Sequence, residues 1–386
     1  MTKQIIKTLI FLLIAHLSYA QIDVKKEFSD AAKQYEGMLA AHPDLTQFPQ
    51  STNPDGTVNV RKSKWWCSGF FGGSLWYLYE ANQEDKWKKA AHDWTVAVEK
   101  EQYNTGTHDL GFMIYCPFGN GYRLTGNEAY KPVMLTAAKS LSTRFDSKVG
   151  LIKSWNSFQK IYDYPVIIDN MMNLELLFWA AKESGNSEFY DLSVIHADNT
   201  LKNHFRADNS SYHVICYDED GNVIAKKTHQ GAADESAWSR GQAWGLYGYT
   251  VMYRETRDPK YLEKAQKIAN FMINHPNLPK DKIPYWDFSK PGEERDASAG
   301  AITSSALFEL ANYSKRKPRN QYRAVATQML TSLTTPAYKA KLGENNNFLL
   351  MHSTGHKPGN SEVNTPIVYA DYYFLEALHR YKSLTK

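Results

Sequence analysis

Five times along the chain the same arrangement returns. An aromatic-rich helical stretch ends in a short polar turn, and a large aromatic residue then opens a second stretch rich in Ala and Lys. The openers are Trp87, Tyr130, Tyr190, Tyr261 and Tyr322, spaced roughly 40 to 70 residues apart. A recurrence of this length marks a repeated helical hairpin, a unit that buries its apolar face only by stacking on its neighbours. The first helix of each pair is the more apolar, which predicts an inner position for it and an outer one for its partner. A helix over Val24–His42 and a closing helix over Ala370–Tyr381 bring the count to about twelve helices, or six pairs. Six pairs form either an open solenoid or a closed ring. A solenoid needs polar caps at both ends, and the closing helix, ADYYFLEALHRY, is aromatic instead. The expected fold is therefore all-α, an (α/α)6 barrel of six helical hairpins filling residues 21–386 as one domain. Strands are expected only as excursions, chiefly the run Tyr212–Tyr217 followed by the turn Asp218–Asn222.

Charge and targeting signals narrow the function. The net charge is +4, with both signs interspersed. No basic stripe of the kind that binds nucleic acid is present. Met1–Ala20 has the form of an export signal: Lys3 and Lys7, a short apolar core at Leu9–Leu17, and Ser18-Tyr19-Ala20 as a cleavage site before Gln21. That core is too short to span a bilayer, so no membrane partner is expected. The mature protein is expected to be exported, with the periplasm as its compartment. Cys67, Cys116 and Cys216 show no C-x-x-C pair and no His/Cys spacing suited to zinc. Free buried thiols are the simpler reading of the three, with one disulfide left open. Aromatic residues make up 13% of the chain, enough both to pack a core and to stack on sugar rings.

Within this frame the stretch Tyr164–Gly185, YPVIIDNMMNLELLFWAAKESG, stands out. Its apolar residues surround a predicted buried helix, with Pro165 as a first helical residue and Gly185 as its stop. Asp169 and Asn173, four apart, would share one face. A carboxylate on a buried helix is costly unless it is paired, hydrogen-bonded or turned to a wet pocket. In a closed ring the loops leading into the inner helices meet around one cavity. Polar and aromatic residues gather at those starts: Trp65-Trp66, Thr107–Phe112 with Asp109, Asp169-Asn170, Asp234–Gly248, Glu294–Leu307 and Glu362–Leu378. Helix capping accounts for Asp, Ser and Thr there, but not for Arg, Trp and His. Arg240 and Trp244, four apart, suit a ligand with a carboxylate and a ring; an Arg salt-bridged inside the barrel is the alternative. Asp109 and Asp169 could face each other, and two acids in different environments are the usual equipment for acid/base work on sugars. The helix start would lower the Asp169 pKa, whereas burial and a neighbouring carboxylate would raise it.

These stretches resemble the unsaturated glucuronyl hydrolases of glycoside hydrolase family 88: WCSGFFGGSLW (66–76), HDLGF (108–112), IIDNMMNLELLFWA (167–180), THQGAADESAWSRGQAWGLYG (228–248), RDASAGAITSSAL (295–307) and VYADYYFLEAL (368–378). The resemblance implies an (α/α)6 barrel, no cofactor, and an oligosaccharide substrate bearing a 4,5-unsaturated uronic acid at its non-reducing end. It implies Asp169 as the acid that protonates C4 and then accepts a proton from the water adding at C5. It implies Asp109 as the residue that positions the uronate and tunes Asp169. His213, Gln230 and Arg240 would contact the uronate, Trp66 and Trp244 would be stacking walls, and His108 precedes Asp109 with a structural role as its simpler reading. Ser353 and Lys357, in the polar stretch His352–Asn364, would hold a sulfate on the adjacent hexosamine, pointing to a glycosaminoglycan such as sulfated chondroitin; a plain loop is the alternative. The unsaturated rhamnogalacturonyl hydrolases, which act on pectin fragments, share the fold and both acids. A non-catalytic glycan-binding toroid is the reading from another class, and two buried acids argue against it.

Overall fold

A computed structural model describes residues 21–384. The export signal proposed for Met1–Ala20 lies outside them. Six inner segments form the wall of the barrel. They are α2 (Ser68–Asn82), a π-helix at Gly111–Gly119 continued by α4 (Asn120–Thr125), α6 (Leu174–Ser184), α8 (Ser239–Thr256), α10 (Ala297–Tyr313) and α12 (Val368–Leu384). Each packs on the next, and α12 returns to α2, so the ring closes. The outer layer is α1 (Val24–Ala41), α3 (Asp85–Val96), α5 (Tyr130–Ser142), α7 (Glu188–Asn203), α9 (Pro259–Asn274) and α11 (Arg316–Leu333).

The two layers follow from composition. In α10 every residue from Ala297 to Ala311 is buried, whereas α9 buries only one face. A helix apolar all round belongs inside and an amphipathic one outside. The aromatic openers anchor the outer helices. Trp87, Tyr130, Tyr261 and Tyr322 are buried, and Tyr261 also donates a hydrogen bond to Asp198 Oδ1 at 2.8 Å. Tyr190 is the exception and remains 36% exposed. The three cysteines are free thiols.

The segment before α6 departs from the expected single helix. Residues Tyr164–Ile167 form a strand, Ile168–Asn173 a 3-10 turn, and only Leu174–Ser184 is α-helical. Among the short strands, counted from the N-terminus, this one is β5, after β1 (Phe48–Thr52), β2 (Val58–Arg61), β3 (Phe145–Asp146) and β4 (Leu151–Ile152). It is the edge of an antiparallel sheet completed by β6 (Val214–Tyr217) and β7 (Val223–Lys227), with Pro165 opposite Cys216. An edge strand tolerates the missing N–H of proline, and the β-branched Val166 and Ile167 suit a pleated surface. Gly185 does end the helix, at φ 71°. The 3-10 turn also separates Asp169 from Asn173, because residues three apart, not four, align in it.

Close approach between inner segments depends on glycine. A Cβ at Gly69 would lie 2.1 Å from the Phe112 carbonyl oxygen, a backbone atom that cannot step aside. At Gly245 the nearest atom to an added Cβ is Ile168 Cγ1 at 3.5 Å, an ordinary contact. Gly69→Ala should therefore destabilise the fold by about 1–3 kcal/mol. Gly245→Ala should be neutral or stabilising by up to about 1 kcal/mol, because Gly costs that much inside a helix. Chemical denaturation of both variants checks the contrast.

Candidate active site

The site sits where the N-terminal ends of the inner segments meet. Its frame is a buried ion pair: Arg240 Nη1 donates to Asp296 Oδ2 at 2.9 Å, with both side chains sealed from solvent. Asp296 is also the N-cap of α10, accepting at Oδ1 from the Ser298 N–H at 3.0 Å. The same guanidinium donates to the Thr354 carbonyl and, at 2.6 Å, to that of Gly355. It lies between the rings of Trp238 and Tyr369, 4.5 and 5.3 Å from their centroids. Arg240 thus takes the salt-bridged alternative, with Nε as its one nitrogen lacking a partner. Gln230 Nε2 donates to the same Gly355 carbonyl at 2.9 Å.

Asp169 follows β5 and is buried, and its Oδ2 has no hydrogen-bond partner. Burial is the main influence on its carboxyl and raises the pKa. Arg240 opposes this and Asp109 adds to it, leaving the pKa at about 7. The opposition between helix start and burial foreseen from sequence is therefore resolved in favour of burial.

His213, the residue before β6, points Nε2 toward Asp169 Oδ2 across 3.8 Å. Its Nδ1 accepts from the backbone N–H groups of His229 and Gln230, each at 3.2 Å. A ring that accepts at Nδ1 carries its proton on Nε2, and burial keeps it neutral by holding its pKa well below the usual value. His213 therefore presents an N–H to the acid.

Asp109 is placed by its own neighbourhood. The Thr107 hydroxyl donates to Oδ2 at 2.6 Å, and the buried His108 ring brings Nε2 to 3.3 Å from Oδ1. The segment is tied to the Asp169 turn because the Phe112 N–H donates to Asn173 Oδ1 at 3.2 Å. Gly111 makes the approach possible: a Cβ there would lie 2.7 Å from Asn173 Cα.

Four expectations need correction or narrowing. Trp244 is fully buried against Phe112 and Tyr373, so it cannot stack on a sugar. Its indole N–H has no hydrogen-bond partner among the described residues, and it favours the ionised form of Asp169 as a minor influence. Ser353 is fully buried in a backbone bridge to Thr365, out of reach of a sulfate. Lys357 is held by two carboxylates, Glu293 at 2.8 Å and Glu294, which spend its charge. Arg240 is a frame residue first, since its terminal nitrogens are engaged within the protein. Trp66 remains a half-buried wall against Phe70 and Tyr369.

Other residues of the site were not singled out from sequence. Trp155 packs edge-on against His213 and His229, and the His229 ring lies tilted against His356 with centroids 4.3 Å apart. An aromatic in the otherwise polar loop KSWNS was the available signal for Trp155. Asp296 looked like a cap, which it is, but its second oxygen serves Arg240.

An acid kept neutral by burial, a histidine N–H aimed at it and a second carboxylate nearby, at the mouth of an (α/α)6 barrel, define a glycoside hydrolase. A family model, Glycosyl Hydrolase Family 88, matches residues 40–277. The chain belongs to that family. It is 46% identical to an unsaturated glucuronyl hydrolase of Formosa agariphila, over 93% of this chain and 92% of that protein. It is 31% identical to an unsaturated chondroitin disaccharide hydrolase of Streptococcus pneumoniae, over 86% of each chain. A crystal structure of an unsaturated glucuronyl hydrolase specific for heparin superposes with a TM-score of 0.91 at 46% identity, covering 94% of this chain and 97% of that one.

The raised pKa of Asp169 has a cost. The native state holds its proton to about pH 7, whereas the unfolded chain releases it near the ordinary aspartate value of 3.8. Stability attributable to this group is therefore undiminished below the lower value, falls as pH rises between the two, and levels off above the upper one. Asp169→Asn should be more stable than the parent at pH 8, by up to about 4 kcal/mol. The gain should vanish near pH 4, and denaturant midpoints at the two pH values measure it.

Proposed function

We propose that this enzyme removes the 4,5-unsaturated uronic acid from the non-reducing end of lyase-generated glycosaminoglycan fragments, with heparin-type disaccharides preferred. The observation that carries the reading is the buried Asp169 carboxyl, neutral up to about pH 7 and faced by the His213 N–H. The unsaturated sugar is a vinyl ether. Asp169 donates its proton to C4, and positive charge develops at C5 and the ring oxygen. The carboxylate left behind is stabilised by the His213 Nε2–H and by the charge of Arg240. It then takes a proton from the water that adds at C5, so the acid is restored. The hemiketal opens and expels the remaining sugar, with one water consumed. Asp109, held by Thr107 and His108, orients the uronate hydroxyls, and its charge helps keep Asp169 protonated.

One observation favours a heparin-type substrate over 6-sulfated chondroitin: the heparin-specific enzyme is 46% identical, against 31% for the chondroitin disaccharide hydrolase. The cation assigned to a sulfate, Lys357, is paired with Glu293 and Glu294, which argues against a sulfate contact there on either substrate. Export to the periplasm is part of the same proposal and rests on the Met1–Ala20 pattern. It supplies the compartment where lyase products of large polysaccharides would arrive.

The C4=C5 bond conjugated to the carboxylate absorbs in the ultraviolet, and hydration abolishes that absorbance. Purified protein should bleach an unsaturated heparin disaccharide faster than a chondroitin one. Asp169→Asn should lower the rate at least ~100-fold while the fold is kept. The rate should decline as pH rises through about 7, where Asp169 loses its proton. Bleaching only of an unsaturated rhamnogalacturonan product would refute the glycosaminoglycan assignment. Lys357→Ala should leave the ratio of rates on sulfated and unsulfated chondroitin disaccharides unchanged. A selective loss on the sulfated one would restore the lysine to the substrate site.

A further inference from the structure

The barrel has a second chamber, at the C-terminal ends of its inner helices and so at the far end from the acids. Its volume is about 680 Å³. The wall includes Glu80 of α2, Tyr115 of the π-helix, Trp179 of α6, Tyr247 of α8, and Tyr373 and Glu376 of α12. Phe112 and Met172 form its inner limit. Phe112 packs on its other side against Trp66 and Trp244, so a layer of aromatic rings separates the chamber from the catalytic mouth.

The chamber's chemistry is specific. Its carboxylates are already matched. Glu80 receives both terminal nitrogens of Arg123, at 2.9 and 2.6 Å. Glu175 pairs with Arg254. Glu376 lies 3.5 Å from Arg380 and accepts from the hydroxyls of Tyr77 and Tyr247 at 3.0 and 2.9 Å. With these charges paired, an ionic ligand of either sign would gain no counterion. An apolar ligand would strip water from the charged groups without replacing its hydrogen bonds. What the wall offers instead is ring faces and hydrogen-bonding edges together. The Tyr115 ring lies 6.3 Å from Trp179, and Tyr122 meets Trp179 edge-on at 6.2 Å. The hydroxyls of Tyr115 and Tyr373 and the indole N–H of Trp179 have no hydrogen-bond partner among the described residues.

We infer that this chamber is a second saccharide site that takes a neutral mono- or disaccharide. Aromatic faces pack on the axial C–H groups of a pyranose, while phenol and indole donors and the outer lone pairs of paired carboxylates meet its hydroxyls. The volume lies within the range of small-molecule sites, roughly 300–1,000 Å³. The site is separate from the uronate site in charge as well as position, because it holds no unpaired cation for a carboxylate.

Saturation-transfer NMR on the intact protein, with galactose, N-acetylgalactosamine and N-acetylglucosamine as probes, tests this. Transfer to at least one of these sugars is expected in the parent and in Trp66→Ala at the catalytic mouth. It should be lost in Trp179→Ala and weakened in Tyr115→Phe, while both variants bleach unsaturated disaccharide at the parental rate. No transfer to any of the three sugars overturns the inference. Loss in Trp66→Ala with retention in Trp179→Ala also overturns it, by placing the sugar at the acids. Loss in both variants counts against a separate site. Should Trp179→Ala fail to fold, Tyr115→Phe decides: full transfer in that variant refutes the assignment.

Discussion

The buried pair between Arg240 and Asp296 is the interaction on which the catalytic mouth depends. Two ions sealed from water are expensive, and they persist only where geometry and further hydrogen bonds compensate. Here the compensation is thorough: two backbone carbonyls of the Thr354-Gly355 segment, two flanking rings and the cap of α10 all engage the pair. The cost is offset by joining three parts of the chain that lie far apart in sequence. The same charge reaches Asp169, where it works against burial and keeps the acid's pKa from rising further. One guanidinium thereby shapes the mouth and sets the strength of its acid.

The catalytic proton is the outcome of this competition. Burial pushes Asp169 toward the protonated form, and Arg240 pushes it toward the ionised one. Set between them, with Asp109 adding to the burial side, the carboxyl can both give and recover a proton near neutral pH. His213 supports this cycle through its fixed tautomer. Its Nδ1 is occupied by two backbone N–H groups, so the proton on Nε2 has no competing position within the ring. The loop after β7 that supplies those N–H groups is therefore part of the acid's environment although its side chains do not touch Asp169.

Much of the barrel was legible in the sequence because it follows from patterns that survive folding. All-round apolar helices, amphipathic partners and aromatic openers at helical spacing leave few alternatives. Asp169 was legible for a related reason, as a charge in a segment too apolar to be exposed. What escaped was set by distant contacts. Pro165 reads as a helix start, but pairing with Cys216 makes it an edge-strand residue. Lys357 reads as an available cation until the chain places Glu293 and Glu294 beside it. Trp244 and Ser353 have the right chemistry for a binding wall but are covered by segments that approach from elsewhere. Trp155 carried a weak signal, because a lone aromatic in a polar loop gives no hint of its neighbours.

Closure of the ring has a consequence for how the protein acquires its structure. Tyr77 in α2 bonds Glu376 in α12 across 299 residues of chain, and the Phe28 ring of α1 packs on His379 at 4.6 Å. An inner face made near the start of synthesis thus waits for the last helix before it is covered. Contacts of such sequence separation slow folding, since the loop they close must be ordered first. Until α12 docks, the aromatic face of α2 remains open to wrong partners, and chains stalled late in synthesis would aggregate rather than idle as stable fragments.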